Sequence, residues 1–113
     1  MKKIEAIIQP FMLVKVTRAL QDHERVSGMT ATDARGFGRQ RAANAKDVIS
    51  EGMIQLARKI KIEVVVSDDL VDEVVEIIKT HAHTGNVGDG KIFVTDVERA
   101  IRIRDFAEGE IAV

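Results

Sequence analysis

Ile60-Lys61-Ile62-Glu63-Val64-Val65-Val66-Ser67-Asp68 is the stretch whose reading decides the fold. Ile60, Ile62, Val64 and Val66 alternate with Lys61, Glu63 and Val65. A period of two marks a strand with one buried face, because successive side chains of an extended chain point to opposite sides. Ser67 or Asp68 then offers a side-chain oxygen to cap a helix. Val71, Val74, Val75, Ile78 and Ala82 follow at i, i+3, i+4, i+7 and i+11, which is one apolar face of that helix. Asp68, Asp69, Asp72 and Glu73 crowd its first turns, where the helix dipole favours negative charge, and do not read as a catalytic pair. Gly85 stops the helix, and a further strand is expected over 91–97. The unit is strand, helix, strand.

The N-terminal half repeats that grammar. Residues 2–9 carry Ile4, Ala6 and Ile8 on one side, with Ile7 also apolar, and Pro10 ends the strand. Leu13, Val16, Ala19 and Leu20 recur at helical spacing through 13–24, opposite Lys15, Arg18 and Asp22. Gly28 breaks the pattern, and a threonine-rich strand is expected over 29–35, bounded by Gly36. Two β-α-β units in one chain predict an α+β fold, the ferredoxin-like double β-α-β sandwich: four antiparallel strands with both helices on one face. The long connection between the second and third strands is less legible. Its residue types permit a helix over 42–56, but Val48, Ile49, Met53, Ile54 and Leu56 hold no single stripe and Gly52 interrupts them. The uncovered sheet face, partly apolar through Val65, predicts an oligomer.

Chemistry concentrates between Thr84 and Arg104. Gly85, Gly88 and Gly90, with Asp89 between the last two, let the backbone turn tightly and clear side chains from the main-chain N–H groups. Lys91 follows at the mouth of the next strand, where its ammonium reaches a phosphate as a point charge. Ile101-Arg102-Ile103-Arg104 alternates, so as a short strand it buries Ile101 and Ile103 and presents both guanidinia on the other face. Glycine amides, one lysine and two parallel arginines make a polyphosphate cradle. A glycine hairpin beside a solvated basic strand would have the same spacing, and the pattern is not the Walker loop. Gly36-Phe37-Gly38-Arg39-Gln40-Arg41 is a second glycine-punctuated basic segment able to hold an anion. The tail from Phe106 is polar and expected to be loose.

Composition narrows the classes. With 113 residues, one domain is expected. Lys and Arg number 17 against 18 Asp and Glu, which argues against a general nucleic-acid or membrane-surface binder. The chain has no cysteine, so disulfides, thiolate zinc sites and cysteine nucleophiles are excluded. No signal peptide and no apolar run of membrane-spanning length is evident, so a cytoplasmic location is expected. His81 and His83 stand two apart near a helix end and point in different directions, as solvent-facing histidines rather than a metal pair.

These segments together resemble the PII nitrogen-regulatory signal proteins. The resemblance runs from Met1-Lys2-Lys3-Ile4-Glu5-Ala6-Ile7-Ile8 through Gly28-Met29-Thr30, Gly36-Phe37-Gly38-Arg39-Gln40 and Lys59-Ile60-Lys61-Ile62-Glu63. It continues in Thr84-Gly85, Gly88-Asp89-Gly90-Lys91-Ile92-Phe93-Val94 and the Ile-Arg repeat, with one extra residue before Gly28. It implies a non-enzymatic homotrimer with sheets facing inward and ATP or ADP in each cleft between subunits. Mg²⁺-ATP would admit 2-oxoglutarate, and the mobile loop 37–58 would dock on a transporter or metabolic enzyme. Carried across by position, one subunit would hold the nucleotide with Ile7, Gly36, Gly38, Arg39, Gln40, Thr84 and the turn of Gly88, Asp89, Gly90 and Lys91. The neighbour would add Gly28, Met29, Thr30, Glu63, Arg102 and Arg104. Gln40 would be a Mg²⁺ ligand, and Gln40, Arg41 and Lys59 would meet 2-oxoglutarate. Read without the resemblance, Lys59 is an exposed lysine at a strand edge.

The chain also departs from the family pattern. The tyrosine usually modified in the loop falls on Gly52, and there is no tyrosine anywhere, so control by tyrosine modification is chemically impossible. Arg41-Ala42 replaces Lys-Gly, Asn86 replaces a lysine of the phosphate turn, and Ala57-Arg58 lacks the usual proline. Ser50 aligns with a serine that some members phosphorylate. Two other functions compete: a phosphoryl-transfer enzyme of the same fold, and a trimeric scaffold that has lost its ligands. The enzyme needs a positioned base or nucleophile beside the phosphate, and Lys91, Arg102 and Arg104 are clamps with no His or Cys among them.

Overall fold

The computed structural model describes residues 1–38, 48–51 and 54–113. Its elements are β1 (Lys2–Ile8), α1 (Leu13–Gln21), β2 (Thr30–Gly36), β3 (Val48–Glu51), β4 (Ile54–Val66), α2 (Val71–Ala82) and β5 (Lys91–Asp96). Strands run in the order β2-β4-β1-β5, all antiparallel, with β3 paired to β4. Leaving β3 aside, this is the ferredoxin-like α+β arrangement expected from the two β-α-β units.

The alternation in β1 and β4 does what a period of two requires. Ile4, Ala6 and Ile8 are buried beside Ile60, Ile62, Val64 and Val66, register partners across the pair. Val16 and Leu20 of α1, with Val74, Ile78 and Ala82 of α2, close the same core. Burying each large aliphatic side chain contributes about 1.5–3 kcal/mol, so this one face carries the stability of the domain. Lys3, Glu5 and Ile7 lie on the other face at intermediate burial. There Glu5 stands directly opposite Glu63.

Three expectations need correction. The helix over 42–56 does not form where the chain is described: 48–51 is β3, and β4 begins at Ile54 rather than Ile60. Val48, Ile49, Ser50 and Glu51 pair with Ala57, Leu56, Gln55 and Ile54. Apolar residues without a helical stripe are served better by a hairpin that lengthens an existing strand. Residues 37–58, read as a docking loop, therefore include β3 and the first part of β4.

Nor do residues 101–104 make a strand. Ile101 forms only an isolated bridge to Glu108, and the chain turns at 103–105. Ile101 is 47% exposed and Ile103 89%, where both were expected to be buried. Arg102 bonds to Asp105 and curls the segment on itself, so the alternation meets no sheet to pair with. The tail is more ordered than expected and ends in a 3-10 turn, Gly109–Ala112.

The cap of α2 also differs. Ser67 makes no capping bond, because its hydroxyl donates instead to Asp69 at 2.7 Å. Asp68 accepts from the Met1 ammonium at 2.8 Å.

Candidate functional site

The glycine turn lies where α2 leaves the core and β5 enters the sheet. Asp89 shapes it. One carboxylate oxygen accepts the amides of Thr84 and Gly85, both at 2.8 Å, and the other accepts the Thr84 hydroxyl. That hydroxyl in turn accepts the Asn86 amide at 3.2 Å. Thr84 and Asp89, both expected at the nucleotide, thus bind each other and set the curvature of the turn. Amides 87, 88 and 89 have no partner among the described residues.

Gly90 is required twice over. Its φ is +99°, and a Cβ built there would lie 1.6 Å from the carbonyl oxygen of Ile7. The register explains the crowding: Lys91 pairs with Ile7, so the turn folds down onto the end of β1. Gly88, at φ +102°, would press a Cβ to 2.8 Å from the Gln9 side chain. Gly28 and Gly36 are different, since a Cβ at either would meet nothing within 4 Å.

Lys59 is not an edge lysine. It sits in β4, flanked by β1 and β2, and its ammonium donates to the Gly88 carbonyl at 2.6 Å and to Gln9 Oε1 at 3.3 Å. Partial burial pushes its pKa below the usual lysine value, against the pull of the nearby Asp89 carboxylate. Burial likewise works to raise the Asp89 carboxyl, but its hydrogen bonds from Thr84 and Gly85 together outweigh this and hold it below its usual range. A cleft of about 470 Å³ opens beside the turn between α2 and β5, lined by Ile78, Lys79, His83, Asp89 and Lys91 among others. His83 is exposed there, as expected, whereas His81 is half-buried with Nδ1 2.7 Å from the Ile77 carbonyl oxygen. Among the described residues no cluster of three His, Cys, Asp or Glu could hold a metal.

The strand register sorts the expected site residues into two groups. Ile7, Lys59, Gly88, Asp89, Gly90 and Lys91 meet at the end of the sheet where β5 begins, and Gly36 stands opposite Ala57 at the same end of β4. Gly38 follows just beyond β2. Thr30 begins β2, paired with Glu63 and level with Glu5 and Phe93, two residues along the sheet from Ile7 and Lys91; Gly28 and Met29 precede it. Arg102 and Arg104 follow the far end of β5, past Asp96, which pairs with Lys2. At about 3.3 Å per residue, the five steps from Lys91 to Asp96 carry β5 about 17 Å from the glycine turn before the arginine segment begins. Arg39, Gln40 and Arg41 lie outside the described residues. Ser50 falls in β3.

At the far end Arg102 forms a two-pronged ion pair with Asp105: Nε donates to Oδ1 at 3.0 Å and Nη2 to Oδ2 at 2.8 Å. Arg104 Nη2 is 3.8 Å from the same carboxylate. Sequence reasoning passed over Asp105 and Gln9. The i, i+3 spacing of Arg102 and Asp105 was a signal, hidden because the segment read as a strand. Nothing in the sequence marked Gln9.

The fold and site together describe a small α+β sandwich with a glycine turn at the end of its sheet, an architecture that hosts many functions. Comparison with known proteins makes the class specific. A model of the family Nitrogen regulatory protein P-II matches residues 1–106. The chain is 52% identical to Nitrogen regulatory protein P-II of Haemophilus influenzae and 50% identical to that of Pasteurella multocida, each over the full length of both chains. It is 49% identical, again over the full length of both, to Nitrogen regulatory protein P-II 1 of Escherichia coli K12. The chain belongs to the P-II nitrogen regulatory family, whose members are non-enzymatic signalling proteins acting on partner proteins. Among the described residues no helix is long and apolar enough to cross a membrane.

Proposed function

We propose that this single-domain P-II protein is a cytoplasmic nucleotide sensor that works as a homotrimer. ATP or ADP binds in each cleft between subunits, with the glycine turn and Lys91 from one subunit and Arg102 and Arg104 from its neighbour. The observation that supports this is that β5 leads from the glycine turn at one end of the sheet to the segment carrying Arg102 and Arg104 beyond the other. A second chain supplying the arginines would complete a cradle of which the turn and Lys91 are one half. Gly28 and Gly36 fit the same reading, because inside one chain neither faces anything that demands glycine.

The nucleotide carries Mg²⁺ with it. Gln40, a neutral oxygen donor suited to that hard cation, is the expected protein ligand, and phosphate oxygens and water supply the rest. 2-Oxoglutarate joins only when Mg²⁺-ATP is present, near Lys59 and the 40–41 segment. The Lys59 ammonium uses two of its three donors on Gly88 and Gln9, which leaves one for a carboxylate of the metabolite. Segment 37–58 then presents a different surface to a partner transporter or enzyme. With no tyrosine to modify, ligands must do the switching, which requires that ATP and ADP differ in affinity for the two loop states.

Calorimetry of the intact chain with Mg²⁺-ATP and with ADP tests the site. Lys91→Ala and Arg102→Ala should each weaken binding at least tenfold, since a lost charge-assisted phosphate contact costs about 1.5–3 kcal/mol. The Arg102 variant should also lose the stabilisation of the trimer by ATP. Titrations unchanged in both variants would remove the cradle.

A further inference from the structure

We propose that Asp105 is a built-in competitor for the phosphate-binding arginines: its carboxylate occupies the Arg102 fork until a nucleotide phosphate displaces it. The inference rests on the nucleotide reading above and adds a regulator to it. Arg102 offers Asp105 its Nε and Nη2 donors in parallel, at 3.0 and 2.8 Å, the same two-pronged geometry with which a guanidinium takes a phosphate. Arg104 leans on that carboxylate as well, at 3.8 Å. Both arginines assigned to the ligand therefore converge on one internal anion.

The turn around Asp105 is built to keep it there. The Phe106 amide donates to the Arg102 carbonyl and the Arg102 amide to the Ala107 carbonyl, each at 2.8 Å. The Ala107 amide donates to Asp105 Oδ1 at 3.2 Å. To close this loop Phe106 takes a φ of +61°, a left-handed conformation unusual for a bulky residue. The pairing with Arg102 also holds the Asp105 carboxyl below its usual range, so it stays anionic at neutral pH. The lock is nonetheless reversible. The two side chains are 37% and 41% exposed, and ion pairs so open to water are weak enough for a polyphosphate to outcompete.

The test is calorimetric titration of the full chain with Mg²⁺-ATP and with ADP. Asp105→Asn and Asp105→Ala should each bind about two- to fivefold more tightly than the parent, the range expected for releasing an exposed ion pair. Adding Arg102→Ala should erase most of that gain. Glu108→Gln controls for simple loss of negative charge, because Glu108 pairs with Arg99 at 2.9 Å and not with Arg102. Equal tightening in that control, or unchanged or weaker binding by both Asp105 variants, overturns the competitor and would make Asp105 a positioning group or a bystander. If nucleotide binds neither the parent nor any variant, the nucleotide reading falls and the competitor with it. Binding without a gain sinks the competitor alone.

Discussion

At the end of the sheet where β5 begins, the polar atoms are held by one another inside a crowded frame. Asp89 takes three donors, Lys59 fastens Gly88, and Gly90 rides on the Ile7 carbonyl. Beyond the end of β5, a few local backbone hydrogen bonds are joined only by ion pairs open to water: Arg102 with Asp105, and Arg99 with Glu108 at 70% and 58% exposure. Ion pairs this open to water contribute little, whereas a buried backbone clash or a lost acceptor costs much more. The first end is pre-shaped in a lone chain. The second closes on itself through groups open to water, which suits the role proposed for it at a neighbour's ligand.

The sharpest way to break this contrast is Gly90→Ala. The new Cβ collides with Ile7 in a left-handed backbone, so a loss of at least about 3 kcal/mol is expected, read as a fall in the urea midpoint. Gly36→Ala is its control, with open space and no positive φ, and should shift the midpoint little. Equal midpoints for the two variants would mean that the turn is not rigid.

A middle-sized effect is expected from Asp89→Asn, which can keep one oxygen on the Thr84 and Gly85 amides but removes the charge and turns the Thr84 hydroxyl from donor to acceptor. About 1–2 kcal/mol of stability should go at neutral pH. The folded-state pKa of Asp89 is depressed, so its contribution is present above the unfolded carboxylate value of about 3.9 and is lost as pH falls through the folded value. Parent and variant stabilities should therefore converge on acidification below about pH 4. A gap that stays constant down to pH 2 or so would put the effect of Asp89 in packing rather than charge.

The smallest change belongs to the open end. Phe106→Gly removes a side chain that is 79% exposed and relieves its left-handed backbone. Relief and the added flexibility of glycine nearly offset, leaving a gain under about 1 kcal/mol. A loss above that size in thermal or urea melts would show that this end is more tightly built than its contacts suggest.

Legibility in the sequence follows the range of the interactions. Alternation over 60–66 and the i, i+3, i+4 pattern of Val71, Val74 and Val75 were enough for the core, because burial of one face is written locally. The same alternation misled at Ile101 and Ile103. A period of two fixes which side chains share a face, but not whether a neighbouring strand exists to bury that face. The hairpin of β3 and β4 escaped because its partner is the extension of a strand whose start the sequence did not mark. At the site, the glycines and Lys91 could be picked out by type and spacing. Lys59 could not be placed, because its depth depends on β4 lying between β2 and β1.

By itself the sequence determined the two β-α-β units, most of the core, the absence of cysteine and tyrosine chemistry, and the residues of the glycine turn and arginine pair; it passed over Leu70 and Met12, which the structure buries. These depend on local period and residue type. Only the tertiary structure decided that β5 leads away from the turn before the arginine segment begins, that Lys59 holds Gly88, and that Asp105 occupies Arg102. Strand order, register and the folding-back of 102–107 set those distances, and each depends on which distant segments win the pairing, a competition that no local pattern records.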